Sequence, residues 1–380
     1  MRTHGISRAA FLTGTAATAL VAATGPAATA ARATPARPPA RHRGLTHHGV
    51  GYEIEDGEHP ETGWHADRMR RDLRVIADEL HASSVSLFGT GVDRFAATAS
   101  EAAERGLHLW LQPRLADAPH ADILDHLAET GRIAERLRRQ GARVELSVGC
   151  EFVLFVPGIV PGANAVERIK NLTEGNYDPQ QLARRLREFI ARAARTGRSV
   201  FHGPLTYGAA HEDDVDWRLF DVVSMNYYGY HPQRSGYLAD LTPYQKWGKP
   251  VAVTEFGSCT FTGAPEKGGM GWDSVDYTKD PPEIVGGLVR SERTQAAYLS
   301  DLLDVFESLD LYAAQAYQFV SPDAPHRPHD PQHDLDMASY GLVKPLWKKR
   351  DRPTAAWHWE RKESFHALAR HYGRAKGRRS

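Results

Sequence analysis

Apolar residues along this chain fall into two alternating patterns, short continuous runs and longer stretches with helical spacing. The short runs are typical of buried strands. The clearest helical stretch contains Met69, Leu73, Ile76 and Leu80, which fall on one face of a helix. The two patterns alternate from Thr46 to the end of the chain, and together they predict eight strand–helix pairs.

The predicted strands span residues 49–54, 85–88, 107–112, 144–149, 199–203, 222–226, 251–255 and 313–319. The predicted helices lie near residues 67–81, 92–105, 120–139, 179–196, 214–220, 240–247, 291–308 and 354–371. Alternating units of this kind imply parallel strands joined by right-handed crossovers, and eight of them imply a closed barrel. The predicted fold class is therefore α/β, a (β/α)8 TIM barrel.

The alternative architecture is an open, doubly wound sheet. Such a sheet would normally carry a Gly-rich phosphate-binding loop after its first strand. Gly49 and Gly51 lead into no helix of that kind, so the barrel is favoured.

The N-terminal segment predicts an export signal peptide rather than part of the fold. Residues 1–30 combine a positive start at Arg2 and Arg8 with an Ala-rich apolar stretch, and they end in small residues that suit signal cleavage. The residues around Arg8 resemble a twin-arginine export signal that lacks its second arginine. We therefore expect a secreted, extracellular protein, exported by the twin-arginine or the general pathway.

The remaining chain is predicted to form a Pro/Arg-rich linker at residues 31–45, the barrel at 46–371 and a basic tail at 372–380. A chain of 380 residues has room for one barrel, since TIM barrels take about 250 residues and more with insertions. No segment after the signal has the roughly 18 apolar residues that a membrane span needs. We therefore expect no membrane association after signal cleavage.

Charge is distributed unevenly along the chain. Lysine and arginine together number 47, as do the acidic residues, but eleven basic residues and no acid lie in residues 1–45 and 367–380. The barrel is therefore net acidic, which argues against nucleic acid as a partner because phosphate binding needs a basic surface. No Cys/His spacing of a zinc site appears, so we expect no bound metal and no other cofactor. We also expect the protein to be a monomer.

Two glutamates differ from the other acids because each ends an apolar run that predicts a buried strand. Glu151 follows the fourth predicted strand, and Glu255 ends the seventh. A carboxylate in such a place is costly unless it faces a cleft and serves a function. The connections that follow these strands, 152–178 and 257–290, are long, as functional loops at a barrel mouth often are. The pattern predicts one active site containing both carboxylates.

Two carboxyl groups at one site suit hydrolysis of a glycosidic bond. One protonates the leaving oxygen, and in the retaining reaction the other attacks the sugar carbon from about 5 to 5.5 Å away. Asn226, Tyr227 and Tyr228 close the sixth predicted strand, next to the seventh. A tyrosine hydroxyl there can reach Glu255, so we include both tyrosines among the catalytic candidates.

Residues 46–371 resemble the clan-A retaining glycoside hydrolases. Thr254-Glu255-Phe256-Gly257 is similar to the nucleophile motif of that family, and Asn226-Tyr227-Tyr228 is similar to its strand-six tyrosine. The resemblance implies that Glu255 is the nucleophile, that Glu151 is the acid/base and that the substrate is a β-linked glycan. The chain also resembles secreted actinobacterial barrel proteins that carry an "abortive infection" label.

The chain departs from the family pattern at two places. Cys150 stands directly before the acid/base position, where the family usually has an asparagine that contacts the sugar 2-hydroxyl. Tyr317-Gln318-Phe319 ends the eighth predicted strand, where the family often has a tryptophan. Two alternatives therefore stay open: a catalytically inactive barrel that binds carbohydrate or a cell-surface partner, and a different barrel hydrolase, for instance one that uses a metal.

Further residues near the predicted mouth are candidates for substrate binding. Aromatic rings there can stack on sugars, and polar side chains at strand ends can bind hydroxyl or acidic groups. These candidates are Gln112, Arg114, Asn226, Trp64, Tyr317, Phe319 and Trp272.

Overall fold

The computed structural model describes residues 44–210, 213–349 and 352–377. The predicted export signal and residues 31–43 of the predicted linker lie outside the described residues. Within the described ranges, no helix has both the length and the apolar character needed to cross a membrane.

Eight of the strands are parallel and close into a barrel, which confirms the predicted fold class. The strands are β1 (His47–Glu53), β2 (Ser84–Gly89), β3 (His108–Pro113), β4 (Val144–Cys150), β5 (Leu205–Ala210), β6 (Val223–Asn226), β7 (Val251–Phe256), β8 (Val275–Asp276), β9 (Glu283–Ile284), β10 (Ala313–Ala316), β11 (Val343–Leu346) and β12 (His358–Arg361). Strands β1 to β7 follow chain order around the barrel, and β10 closes it between β7 and β1. Two antiparallel hairpins, β8–β9 and β11–β12, lie outside the barrel.

Helices follow most of the barrel strands. They are α1 (Ala66–Asp78), α2 (Val92–Glu104), α3 (His120–Arg139), α4 (Phe152–Phe155), α5 (Ala165–Glu174), α6 (Pro179–Val200), α7 (Arg234–Leu241), α8 (Glu292–Ser308) and α9 (Glu363–Gly377). The predicted apolar stripe of α1 is buried at Met69, Leu73 and Ile76, as its spacing requires. Asp178 caps α6 by accepting the N–H of Gln180 at 2.9 Å.

The strand predicted at residues 199–203 is wrong. Helix α6 continues to Val200, and the fifth barrel strand begins at Leu205. A Cβ atom built on Gly131 of α3 would lie 2.5 Å from the Val200 side chain, so the two helices touch where glycine leaves room. The apolar residues near 200 therefore pack between helices, and their pattern cannot distinguish that role from a buried strand.

Three predicted helices differ from those observed. The one near 214–220 is a single 3-10 turn at Trp217–Leu219, and the one near 240–247 is α7 continued by a 3-10 segment at Thr242–Trp247. The last begins later than predicted because β12 precedes it and pairs with β11. It also passes the predicted boundary at residue 371. Tyr372 is buried and donates its hydroxyl to the Gly49 carbonyl oxygen at 3.0 Å.

The two long connections contain structure of their own. Residues 152–178 include α4 and α5, whereas 257–290 include a 3-10 segment at Ala264–Met270 and the β8–β9 hairpin. Both connections leave the carboxyl ends of their strands, so they cover the barrel face on which TIM-barrel sites are built.

Candidate active site

The two predicted glutamates lie at the same end of the barrel. Glu255 is in β7 and Glu151 comes directly after β4, and each residue is only 3% exposed. Glu151 has a left-handed backbone with φ of 37°, which is uncommon for a residue other than glycine. Its N–H donates to the Gly208 carbonyl oxygen of β5 at 2.8 Å. This bend ends β4 and fixes Glu151 at the barrel mouth.

The Glu255 carboxylate has a donor on each oxygen. The Tyr228 hydroxyl donates to Oε2 at 2.9 Å, and the Arg114 guanidinium forms an ion pair with Oε1. The Cys150 Sγ lies 3.7 Å from the same Oε1. A positive charge and a hydroxyl donor stabilise a carboxylate anion, so these contacts favour the ionised form that a nucleophile needs.

Arg114 is itself held in place by its neighbours. It follows β3, and the Gln112 Oε1 accepts hydrogen bonds from its Nε at 2.8 Å and its Nη2 at 2.5 Å. Its guanidinium lies over the Phe88 ring, 4.1 Å from the centroid. We predicted Gln112 and Arg114 as substrate-binding residues, and the structure places Arg114 on Glu255 and Gln112 on Arg114.

Glu151 has a different environment from Glu255. Burial raises the pKa of the Glu151 carboxyl, while a hydrogen bond from Asn226 and the charge of Arg114 lower it by less. Its Oε2 is buried and makes no hydrogen bond within the part of the chain that the structure describes. The carboxyl is therefore suited to carry a proton, as a general acid must.

The two tyrosines after β6 have separate roles. Tyr228 reaches Glu255, but the Tyr227 hydroxyl donates to Asp240 Oδ2 at 2.7 Å. His231 Nε2 lies 2.7 Å from the same Asp240 oxygen. Adjacent residues of an extended chain point to opposite sides, so only one of the pair can face the carboxylate. Among the predicted catalytic residues, Tyr227 is the one whose side chain lies elsewhere.

The Cys150 thiol of β4 contacts Asn226 of β6 and Glu255 of β7. The Asn226 Nδ2 donates to Cys150 Sγ at 3.2 Å, and Thr254 Oγ1 donates to Asn226 Oδ1 at 2.9 Å. Burial raises the pKa of the Cys150 thiol to about 12, so the thiol is neutral at ordinary pH. Asn226 thus orders the centre of the site by bridging to Cys150 and to Glu151.

Of the two predicted aromatic residues after β10, one lies in the site and the other lies in the core. Tyr317 lies in the site, with its ring stacked 5.5 Å from Phe88 and within 5.9 Å of the Arg114 guanidinium. The peptide bond between Tyr317 and Gln318 is cis. Phe319 is fully buried, and its ring packs 5.3 Å from Trp359. Phe319 is therefore a core residue.

The two predicted tryptophans lie outside this cluster. Trp64 is half-buried and lines a neighbouring cavity, and its Nε1 donates to Thr98 Oγ1 at 3.0 Å. Trp272, in the long connection after β7, packs against the edge of the hydrophobic core. Neither ring lies among the residues that contact Glu255.

Glu53 is a site residue that the sequence argument missed. It ends β1, and burial together with the neighbouring charge of Glu55 raises the pKa of its carboxyl to about 8. The charge of Arg114 lowers that pKa, which places Glu53 beside the cluster around Glu255. The signal was present in the sequence, since Glu53 is also an acid at the end of an apolar run.

No group of three or more potential metal-ligating side chains is found in the described ranges, 44–210, 213–349 and 352–377. The polar groups around Glu151 and Glu255 are the phenol, guanidinium, amides and thiol described above.

Comparison with known proteins gives a fold but no sequence family. No family model and no curated protein matches the chain. A GH113 β-1,4-mannanase of known structure is 15% identical with a TM-score of 0.56, over 87% of this chain and 99% of the mannanase. The GH113 β-mannanase of Alicyclobacillus acidocaldarius is 14% identical with a TM-score of 0.55, over 87% of this chain and 98% of its own.

A β-glucuronidase of Parabacteroides merdae is also similar, at 13% identity and a TM-score of 0.54. The match covers 86% of this chain but only 36% of the glucuronidase. This chain shares its fold with TIM-barrel glycoside hydrolases. At such low identity the likeness establishes the fold alone, and any activity has to be argued from the side chains of the site.

Proposed function

We propose that the protein is a secreted glycoside hydrolase that cleaves a β-linked glycan with retention of configuration. The observation that carries this proposal is the contrast between the two glutamates. Glu255 is bound by Arg114 and Tyr228, whereas the Glu151 carboxyl is buried and has a raised pKa. Two carboxyl groups whose environments favour opposite protonation states form an acid–nucleophile pair.

In the first step Glu151 protonates the glycosidic oxygen while Glu255 attacks the anomeric carbon. The leaving sugar departs with the proton, and a glycosyl ester forms on Glu255. In the second step the Glu151 carboxylate removes a proton from water, which attacks the same carbon and releases Glu255. Arg114 and Tyr228 hold the Glu255 carboxylate in one orientation for the first attack, because each fixes one of its oxygens.

The fold likeness supports the choice of a β-linked substrate. The similar solved structures carry the names β-1,4-mannanase and β-glucuronidase, and both names denote cleavage of β-linked sugars. Secretion is supported by the predicted signal in residues 1–30.

The test is the substitution Glu255→Gln, assayed on any β-glycoside that the unchanged protein hydrolyses. We expect kcat/KM to fall by about four orders of magnitude or more, because the amide cannot form the glycosyl ester. Glu61→Gln, which neutralises an exposed acid, serves as the control and should leave turnover unchanged. Unchanged turnover in Glu255→Gln would show that the assignment is wrong.

A second candidate function is carbohydrate binding without cleavage. The burial of both glutamates and the thiol at position 150, where the resembling family usually has an amide, favour this alternative. It predicts that glycans bind to the unchanged protein, as measured by calorimetry, and are recovered intact after long incubation. Any hydrolysis that depends on Glu255 would exclude it.

A further inference from the structure

A cavity of about 350 Å³ lies beside the candidate active site, where β1 and β2 end. Its lining includes the carboxyl groups of Glu53, Glu55 and Asp323 and the ring of Trp64. The volume falls within the range of about 300–1,000 Å³ that is usual for small-molecule sites. The cavity is therefore large enough to hold part of a ligand.

Glu53 connects this cavity to the catalytic groups. Its charge raises the pKa of the Tyr317 hydroxyl, after the larger effect of burial, and the charge of Arg114 lowers the pKa of Glu53 in turn. Tyr317 is 2% exposed, and its hydroxyl lies close enough to Arg114 for a hydrogen bond. Tyr317 and Arg114 belong to the candidate active site rather than to the cavity lining, so Glu53 is the residue that joins the two.

The ionisable side chains that line the cavity are mostly acidic. Arg68 also lines it, but its guanidinium donates to the carbonyl oxygen of Thr62 at 3.0 Å and stacks 4.8 Å from the Trp357 ring. Asp323 accepts the N–H of Glu58 at 3.0 Å. In the described ranges neither Glu53 nor Asp323 forms an ion pair. Carboxyl groups held close together repel one another, and a bound cation relieves that repulsion.

Trp64 supplies an apolar wall to the same cavity. Because its Nε1 is already bonded to Thr98, the indole presents only its ring to a ligand. A flat aromatic wall beside carboxyl groups suits a molecule with an apolar ring face and a positive charge. A sugar acid suits it poorly, since burial and the neighbouring acidic groups already raise the pKa of Glu53, and the sugar carboxylate would add one more acidic group.

We propose that this cavity is a substrate subsite for an amino sugar, whose ammonium group is bound by Glu53 and Asp323 while its ring packs on Trp64. The proposal rests on the proposed glycosidase function and adds the substrate class, a glycan with free amino groups. Glu53 is then a specificity residue, placed between the bound amine and the groups that perform the cleavage.

Three β-1,4-linked pentasaccharides that differ only at C2 test this directly, because that position carries an amine, an acetamide or a hydroxyl group. Binding is measured by calorimetry in the Glu151→Gln background, in which cleavage is blocked. We expect the amine form to bind at least about tenfold more tightly than the hydroxyl form. We also expect its binding to weaken as salt is raised.

Substitutions at position 53 show whether this cavity is responsible. Glu53→Gln should weaken binding of the amine form about tenfold and leave the hydroxyl form unchanged, while Glu53→Asp should retain part of the preference. Glu61→Gln, an exposed acid outside the cavity, is the matched control and should change neither. Equal binding of the three pentasaccharides, or equal effects of Glu53→Gln and Glu61→Gln, would overturn the proposal.

The two proposals fail in different ways. If the unchanged protein hydrolyses neutral glycans through Glu255 without preferring the amine form, the subsite proposal is wrong and the glycosidase stands. If the amine form binds through Glu53 but no glycan is cleaved, the glycosidase is wrong and the cationic subsite stands. Thermal unfolding of each variant checks that a loss of binding does not come from a loss of structure.

Discussion

At the scale of single residues, Tyr227 and Tyr228 have different hydrogen-bond partners and therefore different expected roles. They are adjacent in the chain, yet the Tyr227 hydroxyl donates to Asp240 and the Tyr228 hydroxyl donates to Glu255. A hydrogen bond to a charged group contributes about 1.5–3 kcal/mol. The two positions therefore offer a matched pair of substitutions that separate catalysis from stability.

We predict that Tyr228→Phe lowers kcat/KM by about 10- to 100-fold, because Glu255 loses the donor on its Oε2. Tyr227→Phe should leave kcat/KM within about twofold and lower the free energy of unfolding by about 1.5–3 kcal/mol, since Asp240 loses a donor. Steady-state kinetics and urea unfolding of both variants measure these effects. A larger kinetic effect from Tyr227→Phe would contradict the division of roles.

At the scale of elements, the contact between α3 and α6 explains the error in the fifth strand. Gly131 of α3 faces Val200 at the end of α6, and a Cβ atom there would also lie 3.3 Å from Leu146 of β4. The glycine is therefore required by the close approach of helix, helix and strand. Glycine is less favourable than alanine inside a helix by about 1 kcal/mol. The close packing at Gly131 outweighs that cost.

Gly131→Ala should accordingly lower the free energy of unfolding by about 1 kcal/mol, because overpacking exceeds the gain in helix propensity. In a Val200→Ala background this loss should shrink, since the nearest clash is gone and the 3.3 Å contact with Leu146 is what still opposes the propensity gain. Urea unfolding of the four proteins of this double-mutant cycle tests the contact. Additive effects would show that the two side chains do not interact.

At the scale of the whole molecule, the barrel is closed at the end opposite the glutamates by a buried polar layer. Glu145 of β4 is 2% exposed, and it accepts the Tyr312 hydroxyl at 2.7 Å. His108 of β3 lies 3.4 Å from Glu145 Oε1, and burial lowers the pKa of this histidine to about 4. Burial raises the pKa of Glu145 to about 8, so both groups are neutral near pH 7.

This layer predicts a dependence of stability on pH. The folded pKa of Glu145 lies above its unfolded value, so its contribution is complete below about pH 4.5 and is lost as pH rises towards 8. From pH 5 to pH 8 the unfolding free energy of the unchanged protein should fall by about 4 kcal/mol relative to Glu145→Gln. His108 titrates in both proteins, so the difference isolates Glu145. Parallel stability curves would refute the assignment.

The C-terminal part of the chain is tied to the barrel through a second buried set of charges. Lys362 and Asp336, both fully buried, form an ion pair at 2.9 Å, and Arg290 pairs with the same aspartate at 2.8 Å. The pair connects the residue before α9 with the segment after β10 and the start of α8. It therefore holds α9 in place as the last helix of the barrel.

Much of the fold followed from local patterns. The stripe containing Met69 and Leu73 lies on α1 as predicted, and the apolar runs around Val85 and Val251 became barrel strands because a parallel strand is buried on both faces. The pattern failed near Val200 and at residues 354–362, where packing against other elements decided the structure. A local run of apolar residues does not specify its partner.

The sequence by itself determined the barrel, the two glutamates and their positions at the ends of the fourth and seventh strands. It did so because strand alternation and a buried acid are local signals. Only the tertiary structure decided that Arg114 from β3 pairs with Glu255, that Tyr228 rather than Tyr227 faces it, and that Glu53 from β1 joins the site. Those contacts join strands far apart in the chain, and their geometry exists only once the barrel has closed.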